Sequence, residues 1–317
     1  MEILPYEDWM RPQVIQLFVD EYGVNFSEFE QQFIHFYESP FQKGKSIRIV
    51  AVEGKTVGGF QSFFYWPIQS GDKEISAWQS GNSLVSPAFR GKGLFAKMLD
   101  YIHQPESGFN AELLIGFPVE MSYNSFIRNK WNNIFNLQWY VKPGSPFLSL
   151  FRYGSTSVSS VVHPRTPYTF EVKDAIHRIQ QSEGFDAYRF HYQKPNHLGR
   201  VQLTEGDLVC FAEFKIQIRK KVIRELVLGK VLFNRTEDHE RCFSLFQKVL
   251  KHLNKTLRPT IFSFSFNEKY AIARHIAQRA GFKKIDKHIY FITKGKLAET
   301  LTDASLWDIQ RGDIDTW

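Results

Sequence analysis

The chain of 317 residues, 43% hydrophobic and 23% charged, is long enough for two domains, and its net charge of +7 favours an anionic ligand. No stretch approaches the roughly 18 consecutive apolar residues that a membrane-spanning helix needs, and the first residues lack a signal-peptide pattern. The two cysteines are too few for a disulfide framework, and Cys242 with His239 has no second ligand pair at metal-site spacing. We therefore expect a cytoplasmic protein without a metal site. Nucleotide cofactors, sugar nucleotides, nucleic acids and lipid surfaces are all compatible with the charge.

The first half of the sequence alternates helices and strands. Apolar residues at helical spacing up to Tyr37 predict one or two opening helices. A hairpin over residues 47–66 follows, and then a strand over 74–85. The same criteria predict a helix over 93–102, a short buried strand over 111–117 and a helix over 121–131. This order predicts an α/β fold with a mixed, mostly antiparallel sheet flanked by helices.

The second half repeats this scheme after a linker rich in Pro, Gly and Ser. The predicted elements are helical stretches over 170–182, strands over 208–218 and 223–232, a helix over 237–253, a strand over 260–266, a helix over 268–280 and a last strand over 288–293. We therefore predict two tandem domains, at 1–145 and 168–295, with a linker at 146–167 and a C-terminal tail at 296–317. The densest basic cluster, 219–224, falls at a predicted hairpin turn. No nucleic-acid-binding motif accompanies it, so a nucleic-acid partner is not expected.

One glycine-containing loop in the first half of the sequence has the residues of an anion-binding site. The stretch Val85-Ser-Pro-Ala-Phe-Arg90-Gly-Lys-Gly93 joins a predicted strand to a predicted helix. Glycine lets the backbone approach a ligand closely, and a helix N-terminus presents unpaired N–H groups with partial positive charge. Arg90 and Lys92 add positive charge at the same place. The loop therefore predicts a diphosphate site, although a basic turn before an ordinary amphipathic helix would contain the same residues. Neither Walker nor dinucleotide-binding glycine spacing is present.

The pattern Val-x-Pro-x-x-Arg-Gly-Lys-Gly resembles the acetyl-CoA loop of the GNAT N-acetyltransferase superfamily, whose signature is Gln/Arg-x-x-Gly-x-Gly/Ala. Arg90 and Gly93 match this signature, whereas Phe95 stands at its last position. The resemblance implies that a following strand splays away to admit the pantetheine arm of the cofactor. It covers about 47–131 well and 208–293 weakly, because the second half lacks the loop and is a degenerate copy. The implied cofactor contacts are Leu84, Val85, Arg90, Gly91, Lys92, Gly93, Leu94 and Phe95.

The segment Phe117-Pro-Val-Glu-Met-Ser-Tyr-Asn-Ser-Phe126 resembles a branch of the superfamily with Phe-Pro-Asn-x-x-Ser-Tyr, often associated with surface-polysaccharide genes. Within that branch Ser122 matches a cofactor contact, and Tyr123 matches a proton donor to the leaving thiol. A half-buried helix aromatic would account for Tyr123 equally well, and Phe126 stands where many members have their Tyr. Glu120 is the carboxylate nearest to the expected thioester and is the predicted base, with water-relayed proton loss as the alternative.

The resemblance implies an N-acyltransferase that uses acetyl-CoA, requires no metal ion and acetylates a small-molecule primary amine. The polysaccharide-associated branch favours an amino sugar, either free or nucleotide-linked, as the acceptor. Two alternatives stay open: a transferase of tandem GNAT fold that uses aminoacyl-tRNA, and a catalytically silent module that binds acyl-CoA or a protein partner. The sequence leaves the oligomeric state open, including a homodimer.

Overall fold

The computed structural model describes residues 1–144, 176–179, 182–192 and 198–315, and contacts divide the chain into two compact units. The first unit contains Met1–Ile68, Glu74–Ile134 and Tyr290–Thr302. The second contains Gln69–Lys73, Phe135–Ile289 and Asp303–Trp317. The domain boundaries given above follow sequence order and stay a prediction. The predicted linker at 146–167 lies outside the described residues.

Helices and strands alternate along the described parts of the chain. The helices are α1 (Arg11–Tyr22), α2 (Phe26–Tyr37), α3 (Leu94–Tyr101), α4 (Glu120–Arg128), α5 (Glu183–Tyr192), α6 (His239–Leu257) and α7 (Ala271–Arg279). The strands are β1 (Glu2–Pro5), β2 (Ile47–Glu53), β3 (Thr56–Tyr65), β4 (Ile68–Ser70), β5 (Lys73–Ile75), β6 (Trp78–Val85), β7 (Leu114–Gly116), β8 (Asn132–Pro143), β9 (His177–Ile179), β10 (Leu198–Glu205), β11 (Leu208–Arg219), β12 (Ile223–Phe233), β13 (Ile261–Asn267) and β14 (Lys283–Lys294). No helix in these described ranges is long and apolar enough to cross a membrane.

The first unit is a mixed sheet in the order β1-β2-β3-β6-β7, completed by the end of β14. Neighbouring strands run antiparallel except β6 and β7, which are parallel. Helices α3 and α4 cover one face, where Met98 and Phe126 pack with Phe63 and Ile292 in one core cluster. The aromatic side chains of α2 cover the other face, with Tyr37 stacked 5.2 Å from Phe64. The predicted mixed α/β sheet flanked by helices is confirmed.

The second unit contains a sheet in the order β8-β13-β12-β11-β10, in which only β12 and β13 run parallel. Helices α6 and α7 cover one face and bury Phe246 and Ile276 against Phe264 and Phe266. The predicted hairpin between β11 and β12 is confirmed, since Arg219 pairs with Ile223 across a loop of three residues, in which Val222 N–H donates to Arg219 O at 3.1 Å. The turn residues, Lys220 and Lys221, have positive φ angles of 49° and 63°, as a tight hairpin of this kind requires.

Several elements differ from the sequence-based predictions. Among the described residues of the segment predicted as helical over 170–182, His177–Ile179 form strand β9, so the helix prediction is wrong there. The single strand predicted over 74–85 is interrupted, and Lys73–Ile75 and Trp78–Val85 are separate strands. Strands β1, β8 and β10 were not predicted. Each pairs with a neighbouring strand through backbone hydrogen bonds, which stabilise a strand whatever its local sequence preference.

Candidate functional site

The loop between β6 and α3 has the geometry of an anion-binding helix start. Gly91 and Gly93 have φ angles of 79° and 70°, in the left-handed region that glycine adopts without strain. A Cβ atom built on either glycine would meet no atom within 4 Å, so the space in front of the loop is open. No side chain caps α3, and the first backbone bond back to the cap runs from Lys97 N–H to Gly93 O at 3.1 Å. The N–H groups at the start of α3 therefore have no acceptor within the helix.

Contacts to the neighbouring elements fix this loop in place. A Cβ atom on Gly58 would lie 2.7 Å from Phe89 Cδ2, so the loop packs directly against the backbone of β3. Arg90 Nη2 lies 2.6 Å from Glu21 Oε2 of α1, and Arg90 Nε donates to Val85 O at 3.0 Å. The Arg90 side chain is half exposed, so its ion pair contributes at most about 1 kcal/mol. In this structure the guanidinium of Arg90 ties the loop to α1 and β6. Lys92 Nζ lies 5.1 Å from the centre of the Phe89 ring.

Strands β6 and β7 separate next to this loop. They pair only at Trp78–Leu114 and Gln79–Ile115, although β6 continues to Val85. On its other edge β6 stays paired with β3, where Leu84 and Val85 lie opposite Phe60 and Gly59. The edge of β6 that carries Leu84 and Val85 therefore has no neighbouring strand on the β7 side within the described residues. This separation agrees with the splayed strands that the resemblance implies.

A buried polar network shapes β6 in the splayed region. The register of β3 and β6 shifts between Phe60 and Ser62, and Asn82 on β6 has a positive φ of 42°. Gln61 is fully buried; its Nε2 donates to Ser62 O at 2.6 Å, and its Oε1 accepts from the Ser83 hydroxyl. Tyr37 OH donates to Ser62 Oγ at 2.8 Å and accepts from Asn82 Nδ2 at 2.9 Å. Side chains of α2 and β3 thus hold the bulge of β6.

The start of α4 brings Glu120 and Tyr123 together with a tyrosine from the end of the chain. The Tyr123 and Tyr290 rings stack with centroids 3.8 Å apart. Tyr290 OH donates to Glu120 Oε2 at 2.7 Å, and this hydrogen bond to a carboxylate raises the pKa of Tyr290 to about 12. Tyr123 OH accepts from Asn133 Nδ2 at 3.1 Å. Ser122 Oγ donates to Val119 O at 3.1 Å, within the first turn of its own helix.

The two phenylalanines that depart from the family pattern pack against each other. Phe126 is only 5% exposed, and its ring meets Phe95 edge to face at 5.3 Å and Trp131 at 5.0 Å. Phe95 at the last signature position is therefore accommodated between α3 and α4, behind the open side of the loop. Phe126 is a core residue of this helix pair.

The sequence analysis did not identify Tyr290, Asn133 or two buried polar side chains near the separation of β6 and β7 as residues of the site. Gln79 and Thr293 are fully buried on either side of Ile115 in neighbouring strands. Within the described residues, the amide of Gln79 and the hydroxyl of Thr293 have no hydrogen-bond partner. Tyr290 and Thr293 come from a strand far along the sequence, so no local signal links them to the loop. A search of the described residues finds no group of three His, Cys, Asp or Glu side chains that could hold a metal ion.

In the second unit, the helix start and the gap between the parallel strands are both occupied by residues of that unit. Helix α6 begins at a carboxylate cap, because Asp238 Oδ1 accepts from Arg241 N–H at 3.0 Å. Beyond their four paired positions, β12 and β13 both bond to the C-terminal segment. Gln310 Oε1 accepts from Val231 N–H at 2.7 Å, and Asn267 N–H donates to Ile309 O at 3.1 Å. The second unit therefore offers neither an open helix start nor an open splay at these places.

No protein-family model matches the sequence, and a search of curated proteins gives no match. Solved structures do resemble it. A GCN5-related N-acetyltransferase from Anabaena variabilis superimposes with a TM-score of 0.65 over 93% of this chain and 72% of its own, at 8% sequence identity. This chain has the fold of a GCN5-related N-acetyltransferase. A putative acetyltransferase from Pyrococcus horikoshii matches 98% of this chain and 93% of its own, with a TM-score of 0.51 and 10% identity. N-myristoyltransferase from Saccharomyces cerevisiae, solved with bound myristoyl-CoA, matches 93% of this chain and 78% of its own, with a TM-score of 0.50 and 10% identity.

Proposed function

We propose that this protein transfers an acyl group from acyl-CoA to a primary amine. The observation that carries the proposal is the open start of α3 beside the splayed strands β6 and β7. The loop fits a diphosphate, because both of its left-handed glycines face empty space and no side chain occupies the helix start. The acyltransferase fold of the solved structures agrees with this use of the loop.

The residues of the first unit have separate roles in this proposal. Backbone N–H groups from Gly91 to Phe95 hold the diphosphate, with Lys92 adding positive charge. Leu84, Val85 and Ser122 line the path of the pantetheine arm. When bound, acyl-CoA supplies a thioester whose carbonyl carbon forms a bond to the amine nitrogen as the bond to sulfur breaks.

Two side chains of α4, Tyr123 and Glu120, transfer the protons of the acyl-transfer reaction. Tyr123 gives its phenolic proton to the departing sulfur; its oxygen accepts from Asn133, which leaves its own hydrogen for donation. Glu120 takes the proton released by the amine nitrogen, either directly or through water. The hydrogen bond from Tyr290 holds the Glu120 carboxylate in position while leaving its second oxygen for the amine.

The identity of the acyl group and of the acceptor is inferred from the likeness of residues 117–126 to the polysaccharide-associated branch. On that basis the acyl group is acetyl, and the acceptor is an amino sugar of surface-polysaccharide synthesis. We assign the two units to a tandem arrangement whose second copy is degenerate. The same succession of antiparallel and parallel strand pairs in both units supports this arrangement, as does the closed helix start at Asp238.

Calorimetric titration with acetyl-CoA and with CoA tests the cofactor site, and thiol release with a panel of amines and amino sugars tests the transfer. We expect acetyl-CoA to bind and an amine to accelerate thiol release. The variant Tyr123→Phe should lower kcat while leaving the affinity for acetyl-CoA unchanged. Absence of acetyl-CoA binding would refute the proposal. Binding without amine-dependent release would identify a silent acyl-CoA-binding module instead.

A further inference from the structure

An aromatic cleft lies at one edge of the first unit's sheet, where β3 ends and β6 begins. Tyr65, the last residue of β3, pairs with Trp78, the first residue of β6, and both line the cleft. The loop of the proposed cofactor site follows Val85, at the opposite end of β6. Seven steps along this strand separate Trp78 from Val85 by roughly 20 Å. The aromatic cleft is therefore a different place from the proposed cofactor site.

The size and lining of this aromatic cleft suit a small molecule. Its volume is about 380 Å³, within the roughly 300–1,000 Å³ of small-molecule sites. Its described lining includes three aromatic rings, an ammonium group and an amide, from Tyr65, Trp78, Phe109, Lys45 and Asn110. Gly44 and Gly108 also line it; their φ angles are 73° and 69°, and a Cβ atom built on either would meet no atom within 4 Å. Both glycine loops therefore leave room for a ligand beside their backbone.

Hydrogen bonds orient the two rings at the edge of the sheet. The Trp78 indole Nε1 donates to Lys45 O at 2.9 Å, and the Tyr65 hydroxyl donates to Glu74 Oε1 at 2.9 Å. The two rings meet edge to face, with centroids 5.7 Å apart and an interplanar angle of 67°. Because the N–H and O–H groups of both rings already donate to protein atoms, these residues offer a ligand mainly apolar ring surface.

Buried polar side chains hold the backbone of two segments that line the aromatic cleft. Gln42 is fully buried; its side-chain amide accepts from Tyr65 N–H at 2.9 Å and donates to Tyr65 O at 3.0 Å. The Gln42 carbonyl oxygen accepts from Lys45 N–H at 2.8 Å, which ties the Lys45 loop to the end of β3. In the loop before β7, the buried Ser107 Oγ accepts from Phe109 N–H at 3.1 Å. The cleft is therefore formed before a ligand binds, which lowers the entropy cost of binding.

Two polar side chains accompany the rings of the aromatic cleft. Lys45 Nζ lies 4.9 Å from the centre of the Tyr65 ring and 5.1 Å from the centre of the Phe41 ring. Attraction to the ring faces positions this ammonium group, whose three N–H bonds can also donate to an oxygen atom of a ligand. Asn110 is exposed and carries donors and an acceptor in one amide. The cleft thus combines apolar ring surface with hydrogen-bonding groups.

We infer that the aromatic cleft is a second ligand site of this protein, which binds a hexose ring of a saccharide. One face of such a ring presents C–H groups that pack on aromatic side chains, and the hydroxyl groups around its edge pair with the Lys45 ammonium and the Asn110 amide. The sugar is either neutral or acidic, since an ammonium group donates to a hydroxyl oxygen as well as to a carboxylate. This inference goes beyond the proposed function and does not depend on it, because the cleft and the loop before α3 lie at opposite ends of β6.

Saturation-transfer NMR on the full chain tests this site with glucose and with glucuronate. Sorbitol is the control ligand, because it has the hydroxyl groups of a hexose without the ring. We expect both sugars to bind saturably, with the strongest saturation at their ring C–H protons, and sorbitol not to bind. Tighter binding of glucuronate points to an acidic sugar, and equal or weaker binding points to a neutral one; both support the site.

Lys45→Gln and Lys43→Gln form a matched pair of variants with the same change of charge. Both lysines are exposed, but Lys43 is not among the residues that line the cleft. We expect Lys45→Gln to weaken sugar binding by at least about 10-fold, because a charged hydrogen bond is lost, and Lys43→Gln to leave it unchanged. The variant Gly93→Asp should bind sugar as the wild type does, so that failure of the cofactor site and failure of this site are distinguishable. The inference is overturned if neither sugar binds saturably, if sorbitol binds as tightly as the sugars, if Lys45→Gln binds as tightly as the wild type, or if Gly93→Asp abolishes sugar binding.

Discussion

The substitution Gly93→Asp tests whether the start of α3 holds a diphosphate. Gly93 has a φ of 70°, and a Cβ atom there meets no atom within 4 Å. A non-glycine residue in the left-handed region costs about 1–2 kcal/mol, with Asn and Asp at the lower end. We therefore expect the fold to survive with its stability lowered by roughly 1 kcal/mol. The new carboxylate would stand at the helix start itself.

The expected loss of affinity follows from the repulsion between this carboxylate and the bound diphosphate. For a diphosphate with about two negative charges at roughly 5 Å, an effective dielectric constant of about 40–80 gives roughly 2–3 kcal/mol. This energy corresponds to an affinity for acetyl-CoA weakened by about 30- to 150-fold. Added salt should reduce the effect, because the site is exposed.

The matched control is Gly93→Asn, which has the same shape and the same backbone cost but no charge. Calorimetric titration with acetyl-CoA gives the affinities, and thermal unfolding gives the stabilities of both variants. The difference between Asp and Asn isolates the electrostatic contribution at the helix start. If the two variants bind acetyl-CoA equally well, the diphosphate does not lie at this helix start and the proposed function loses its main support.

Three further substitutions test other parts of the structure. Gln61→Leu should lower the free energy of unfolding by about 2–3 kcal/mol in a denaturant titration, because the Ser83 hydroxyl loses its buried acceptor; wild-type stability would contradict the network. Glu120→Gln should lower the pKa of Tyr290 from about 12 toward its ordinary value of 10.0 in a spectrophotometric titration, since the Glu120 hydrogen bond is the largest cause of the shift. An unchanged pKa would show that the two side chains do not meet. Asp238→Ala should cost about 1 kcal/mol of stability through loss of the helix cap, without changing acetyl-CoA affinity; any change in that affinity would argue against separate roles of the two helix starts.

Local sequence signals predicted the part of the candidate site that is contiguous in the chain. The apolar spacing of Leu94, Met98 and Leu99 predicts α3, and all three are buried in the structure. Gly91 and Gly93 adopt the left-handed conformations that explain their place in the loop. Strand β8 was not predicted: Phe135, Leu137 and Trp139 alternate with more exposed residues, but the polar start of the strand hides this pattern in the sequence.

Other features depend on contacts that sequence order does not reveal. Tyr290 and Glu120 are 170 positions apart, and their hydrogen bond forms because β14 adds its last residues to the edge of the first sheet, beside β7. The buried polar side chains of Gln61 and Gln79 look like surface residues in a sequence pattern. Only the structure shows that Gln61 is satisfied by its neighbours while Gln79 has no partner among the described residues.

The two units of this chain show what turns a strand–helix junction into an anion site. Both junctions follow a sheet with the same succession of antiparallel and parallel pairs, so topology alone does not distinguish them. At the first junction Gly93 leaves the helix start bare. At the second, the Asp238 carboxylate already accepts a helix N–H, and Glu240 adds negative charge in the first turn. A phosphate would have to displace one carboxylate and approach another, which electrostatics opposes. The proposed function therefore places the cofactor in the first unit, where no side chain caps the helix at Gly93 and the strands beside it separate.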